Sequence, residues 1–455
     1  VRERMLGEAI LGEEAYPLLR HLSDHFGPRM MGTAGHAAAM DYLEEKLGEL
    51  GLETRRQTFS FPGWVRGDAK LRMTAPHDRK LRAVALAYVG EQAEIEGAVA
   101  YVAEKKMEKL DEDVIRDRIL LARPNVTYSL AEMVKLEEEY GVKGLLYTNR
   151  IDGGQVLARA ANRKGEETPF PVFSITQEEG LWMKRLLEDG VAVHLEMETS
   201  SERRTFEAKN LIAVLPGTSG ERVLLGGHFD SWDLGQGSTD NGLGVAQIYE
   251  VARILSEVHP ENRHTVEFVW FDAEEFGLWG SRHYAEATDL KDVRVMVNLD
   301  MVGRPIAINA MGFEDLVPEL ETYADALGGW AFEKEVANVP WLGSDHHPFI
   351  LKGIPAITFN APIDNDSVRY YHDFADTMDK VDPRMLAEAS AYIALLVHDL
   401  ANSEAPKIGP LEEAQRARLF REGGLEERMR KAGRWPFGDL ETDQEADEDG
   451  KESES

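Results

Sequence analysis

Residues 1–20 carry apolar positions at helical spacing, and Ala15–His25 and His36–Leu50 keep the same period, the last stopping at Gly51. Thr54–Phe61 then alternates apolar and polar positions, the pattern of a half-buried strand. Between Val65 and Thr199 the texture changes to short β-like runs: Arg82–Val89, Ala98–Val102, Ile119–Leu121, Gly144–Tyr147 and Val191–Met197. Two helices, Tyr128–Tyr140 and Gln177–Asp189, are mixed among them. From Asn210 onward strands and helices alternate. Leu211–Leu215, Val223–Leu225, Thr265–Phe271, Val293–Leu299, Ile306–Asn309 and Ala356–Phe359 are expected strands. Leu243–Val258, Gly277–Thr288, Phe313–Leu327 and Pro383–Ala401 are expected helices. Such alternation predicts an α/β fold with a mostly parallel central sheet and helices on both faces.

These textures divide the chain into four parts. Residues 1–64 begin a main domain, 65–200 form an inserted domain, and 201–405 complete the main domain. Residues 406–455 are a charged helical stretch and an acidic tail. The tail, Asp439–Ser455, has nine acids and one lysine and is expected to be disordered.

Composition narrows the function classes. The 455 residues exceed one ordinary core, and 43% hydrophobic with 29% charged residues describes a soluble globular protein. No apolar run approaches the roughly 18–20 residues of a membrane span. Fifty-one basic against 82 acidic side chains give a net charge of -31, which argues against nucleic acid and anionic membranes as partners. The absence of cysteine excludes disulfides and thiolate sites, so a metal here must be held by His, Asp and Glu. The chain shows no signal-peptide pattern; a cytoplasmic location is favoured over secretion, and a homodimer is compatible with the sequence.

The chemistry-bearing residues lie where the expected strands end. The run Val223–Leu225 stops at two glycines and presents His228; twelve residues later Asp240 opens the next periodic segment. Asp230 adds a carboxylate that can orient the imidazole. The strand Thr265–Phe271 is followed by Glu274-Glu275, two glutamates that cannot point the same way, so one can ligate a metal while its neighbour reaches the activated water. Val293–Leu299 ends at Asp300, and Tyr370-Tyr371-His372 precedes the last long helix. Each element alone is weak, since an aspartate after a strand is a common N-cap and adjacent glutamates are usually a solvated helix start. Their joint occurrence, in order and at the edge where open α/β sheets gather ligands, carries the weight. Five ligand candidates and one spare carboxylate suit two divalent ions if one aspartate bridges them. Two His and three carboxylates suit Zn²⁺ well, and Mn²⁺ or Co²⁺ also fit. Gly235, Gly237, Gly242 and Gly244 match neither nucleotide-loop spacing and are expected to let backbone pass close to the metals.

GGHFDSW…GSTDNGLGVA, FDAEEFGLWGS, NLDMVG and YYHDFADTMDKVDP resemble the metal segments of the dinuclear zinc exopeptidases. That family includes aminopeptidase Y, glutamate carboxypeptidase II and carboxypeptidase Q, and GGHFDSWDLGQG is especially similar to the carboxypeptidase Q branch. HFGPRMMGTAGHAAAMDYLEEKL and PFPVFSITQEEGLWMKRLLEDG extend the likeness over residues 15–400. The resemblance implies the zinc exopeptidase fold with a protease-associated domain at 65–200. It implies Asp240 as the bridging ligand, His228 and Asp300 completing one site, and Glu275 and His372 the other. Glu274 would be the general base and Asp230 the residue that holds the His228 imidazole. The implied activity is metal-dependent hydrolysis of dipeptides or short peptides, carboxypeptidase Q-like, with release of N-terminal residues as the alternative. A non-catalytic binding homologue would be expected to lack ligands or the base, and this chain keeps all six. Tyr371 is either a donor to the developing oxyanion or a packing partner of His372. The segment Gly343–Phe349, with His346, reads as a loop at the substrate pocket rather than a ligand set, and Trp232 and Asp233 as cleft wall and turn.

Overall fold

The computed structural model describes residues 1–12, 14–327, 336–363, 369–431 and 433–438; the acidic tail lies outside the described residues. Thirteen strands among the described residues join in one continuous sheet. In chain order they are β1 (Glu53–Ala75), β2 (Arg79–Leu81), β3 (Ala83–Ala85), β4 (Gln92–Val102), β5 (Ile119–Ala122), β6 (Gly144–Thr148) and β7 (Val172–Ile175). There follow β8 (His194–Leu215), β9 (Arg222–His228), β10 (Thr265–Phe271), β11 (Val293–Asn298), β12 (Ala307–Asn309) and β13 (Ala356–Asn360).

The half that carries the ligand candidates is ordered β12-β13-β11-β9-β10-β8. Its four central strands, β13, β11, β9 and β10, are parallel neighbours. At the margins β12 pairs antiparallel to β13, and β8 antiparallel to β10. The sheet is therefore mixed, and the expectation of a mostly parallel sheet holds only for its centre. The difference arises from β8, which the sequence pattern splits into Val191–Met197 and Leu211–Leu215. It is one 22-residue strand, paired antiparallel along most of its length with the 23-residue β1. Its polar middle is half exposed, so the ladder with β1 continues through residues that break the apolar pattern.

Side-chain alternation along the central strands fills both faces. Val266, Phe268 and Trp270 of β10 join the cluster beneath helices Gly242–Val258 and Pro383–Asn402. Val269 and Phe271 face the other way, against Tyr284 of helix Trp279–Ala287 and Phe349 of helix His346–Leu351. Helices thus cover both faces, as the alternation predicts. Helices Gly242–Val258 and Pro383–Asn402 are buried nearly all round, the mark of central elements.

The second half of the sheet runs β8-β4-β5-β6-β7-β3, with β4 to β7 parallel. Helix Leu130–Tyr140 opens with a Ser129/Glu132 capping box and stops at Gly141 in the left-handed region. The core of this half extends to Trp232, Ala273 and Phe276, which belong to the loops after β9 and β10. No helix among the described residues is long and apolar enough to cross a membrane.

Candidate metal centre

Three adjacent parallel strands end on one edge. His228 is the last residue of β9, level with Phe271 of β10, and Asp272–Glu275 follow immediately. Asp300 lies just past β11 on the other side of β9. Asp240 precedes helix Gly242–Val258, and His372 stands at φ 56° in the loop before Pro383–Asn402. The fold brings all six residues together, and the relation of Asp240 to the two histidines is specific. Its Oδ1 is 3.2 Å from His228 Nε2, and its Oδ2 is 3.0 Å from His372 Nε2. Asp300 Oδ1 lies 3.5 Å from His228 Nε2, and Glu275 Oε2 lies 3.1 Å from His372 Nε2. Two groups that could each hold an ion result, His228/Asp240/Asp300 and Asp240/Glu275/His372, with Asp240 common to both. Glu274, half-buried, forms a third grouping with His228 and Glu275.

The electrostatics fit cations. Burial disfavours a charged imidazole at His372, yet Glu275 and Asp240 outweigh it and push its pKa up to about 10. Burial, together with the charge of Asp240, pushes Glu275 up to about 7. Burial also raises Glu274 well above the ordinary carboxyl range, helped by Glu275, Asp345 and Asp300. Asp240 moves the other way: despite its burial, His228 and His372 hold its carboxylate below the ordinary range. Glu275 Oε1 is buried without a hydrogen-bond partner, a lone pair free to bind an ion. His, Asp and Glu donors of this kind fit two divalent ions.

Asp230 lies behind the cluster, its backbone carbonyl 3.0 Å from His228 Nδ1. Its carboxylate lies 3.7 Å from that nitrogen and also accepts from the backbone N–H groups of Glu274 (3.0 Å) and Glu275 (3.2 Å). The turn leaving β10, with Ala273 at φ 57°, presents two adjacent donors that occupy both carboxylate oxygens. Asp230 therefore fixes the backbone of the glutamate pair.

Several contributors have no role in the sequence reading. The Asn241 side chain caps helix Gly242–Val258, donates to the Leu299 carbonyl at 2.8 Å and accepts from Met301 N–H at 3.0 Å, tying the Asp240 loop to the loop of Asp300. Asp376 accepts from the N–H and hydroxyl of Thr239 and from Asp240 N–H. Arg29 is fully buried and donates to the carbonyls of Phe229, Gln236 and Gly237, bracing the loop between His228 and Asp240. Its only sequence signal is its place in HFGPRMM, a segment of the resemblance without an assigned role. Two of the loop glycines sit where backbone segments pack closely. A Cβ on Gly235 would lie 2.6 Å from the Asp373 carbonyl, and one on Gly244 2.6 Å from that of Leu299.

A cleft of about 590 Å³ opens over the cluster. Trp232, Trp341 and Tyr371 line it, as do Arg159 and Arg163 from the 65–200 segment. The Tyr371 ring stacks on His372 with centroids 3.5 Å apart, and burial holds its hydroxyl well above the ordinary tyrosine value, hence protonated. Asp233 accepts two bonds from Arg66, the pairing of a structural turn. His346 is not on the cleft wall. Helix His346–Leu351 turns it inward, fully buried, with Nε2 3.0 Å from the Trp341 carbonyl, and Trp341 itself faces the cleft.

Residues 210–397 match the model of Peptidase family M28. Over this segment the chain is similar to peptidase family M28. The matched residues include every member of the candidate metal-binding groups and Glu274. Aminopeptidase YwaD of Bacillus subtilis is 25% identical over 407 residues, 86% of this chain and 85% of that protein. Mouse carboxypeptidase Q is 23% identical over 433 residues, 89% of this chain and 90% of that protein. The fold is shared by the peptidase M28 precursor of Shewanella amazonensis, with a TM-score of 0.81 at 22% identity over 90% of this chain and 98% of that one.

Proposed function

We propose that the protein is a zinc-dependent exopeptidase with a dinuclear centre, hydrolysing dipeptides or short peptides. The observation that carries this reading is Asp240, whose two carboxylate oxygens each face a different imidazole. In this reading Asp240 would be common to both metal sites, His228 and Asp300 would complete one, and Glu275 and His372 the other. Bound divalent ions supply Lewis acidity, polarising the scissile carbonyl and acidifying a water. Glu274 takes the water's proton and returns it to the leaving amine, a role that suits a carboxyl whose proton affinity is raised by burial. Tyr371, protonated beside the cluster, donates to the oxyanion.

The 65–200 segment is read as a protease-associated module that shapes the cleft, through the wall residues Arg159 and Arg163. These two arginines favour substrates with a free carboxylate, hence dipeptidase or carboxypeptidase action of the carboxypeptidase Q kind. Aminopeptidase action is the second reading, favoured by the similarity to YwaD. Rates for unblocked dipeptides against aminoacyl-arylamides, measured with zinc-loaded enzyme, test the choice. Faster dipeptide cleavage supports the first reading, and faster arylamide cleavage the second.

A further inference from the structure

A second cavity, of about 550 Å³, adjoins the cleft, and Arg163 lines both. Its wall carries five cationic side chains, Arg163, Lys164, Arg282, Lys352 and Arg434, against one acid, Glu286. This reverses the balance of a chain with 82 acidic and 51 basic residues. Among the described residues Arg163, Arg282, Lys352 and Arg434 make no ion pair, while Lys164 reaches Glu166 at 4.0 Å. Elsewhere the chain readily pairs its arginines, as Arg222 with Glu267 and Asp292 and Arg253 with Glu250 and Glu257.

The cations come from separate parts of the fold. The Arg163 backbone packs on Gly277, where an added Cβ would lie 3.1 Å from both the Cβ and the carbonyl oxygen of Arg163, so the residue is held beside the turn of Glu274 and Glu275. Arg282 projects from helix Trp279–Ala287, its guanidinium 5.9 Å from the Trp279 ring centroid. Lys352 follows helix His346–Leu351, and Arg434 follows helix Glu426–Lys431. Burial and the charges of Arg163 and Arg282 bring Arg434 down to about 10. His347 also lines the cavity, and its buried Nε2 has no hydrogen-bond partner. Unpaired guanidinium forks around a shared space fit a ligand with planar acceptor oxygens.

We propose that this cavity is a subsite for a carboxylate of the peptide substrate, reached from the metal centre past Arg163; the assignment rests on the peptidase reading above. The carboxylate has two sources, the α-carboxylate of the substrate or an acidic side chain.

Calorimetric titration of the metal-loaded protein with three probes separates them. N-acetyl-glutamate carries both carboxylates, N-acetyl-glutamine only the α-carboxylate, and N-acetyl-glutamate α-amide only the side-chain one. The expected result is a preference of about tenfold or more for probes with the recognised carboxylate, weakening with salt. Loss of affinity with the α-amide assigns the α-carboxylate; loss with the glutamine probe assigns the side chain. Arg282→Ala and Arg434→Ala, the latter on an exposed residue whose loss spares the core, should each abolish the preference. Equal binding of the three probes, or a preference that survives both substitutions, overturns the subsite. Hydrolysis is scored separately. Peptide cleavage without anion preference sinks the subsite alone, whereas anion preference without any cleavage supports the subsite and sinks the peptidase reading.

Discussion

The Nδ1 of His372 lies 2.7 Å from the carbonyl oxygen of Ala158, and the Ala158 N–H donates back to the His372 carbonyl at 3.0 Å. A histidine of the candidate metal centre is thus oriented by backbone of the 65–200 segment. The next residue extends the link, since Asp373 Oδ2 accepts from Val156 N–H at 2.9 Å.

Breaking that link should loosen metal binding without touching a ligand. Asp373→Ala is expected to weaken metal affinity about 10–100-fold, the usual effect of losing a residue that supports a ligand. Competition with a chelator measures it, and unchanged affinity would show that the segment is not needed to hold His372.

Glu274→Gln keeps the shape of the side chain and removes the base. We expect the variant to retain its metal and to lose about 10²–10⁴ in kcat. A variant with near-parental turnover would remove Glu274 from the mechanism.

Much of this site is legible in the sequence because its candidate ligands sit at strand ends, where the apolar run itself points to the residue that follows. Val223–Leu225 leads to His228, Thr265–Phe271 to the glutamate pair, and Val293–Leu299 to Asp300. The antiparallel margin is less legible. β8 crosses from one half of the sheet to the other through polar, half-exposed residues, and its continuity is set by pairing with β1, which a local pattern does not encode. The supports are hidden for a similar reason. Arg29 lies 199 residues before His228 in the chain and acts on backbone carbonyls, which every residue possesses. Asp230 is legible as a support, but the two backbone N–H groups it also accepts from have no residue-type signature.

Arg29 yields a stability prediction. Arg29→Met leaves the carbonyls of Phe229, Gln236 and Gly237 without their charged donor and should cost at least about 3 kcal/mol. The urea midpoint measures this. A loss under about 1 kcal/mol would mean that water replaces the guanidinium and that the loop needs no such brace.

His36 gives a pH signature. It is buried, with Nε2 2.9 Å from Asp272 Oδ1; burial opposes its charge, but the carboxylate wins and holds its pKa above 6.5. A raised folded-state value means stability fully present below 6.5 and lost as pH climbs through that folded value. Relative to His36→Asn, the parent should be more stable by about 3 kcal/mol at pH 5.5, with the gap shrinking on the alkaline side. Thermal melts of both proteins across that range test the sign, and a gap that widens with pH refutes the assignment.

The central claim is that Asp240 is shared by two ions, and metal content measures it most directly. Elemental analysis of the dialysed, zinc-loaded parent should give about two ions per chain. Asp240→Ala should fall close to none, because both ions lose a ligand together. One ion per chain in the parent, or two retained in Asp240→Ala, would contradict the account.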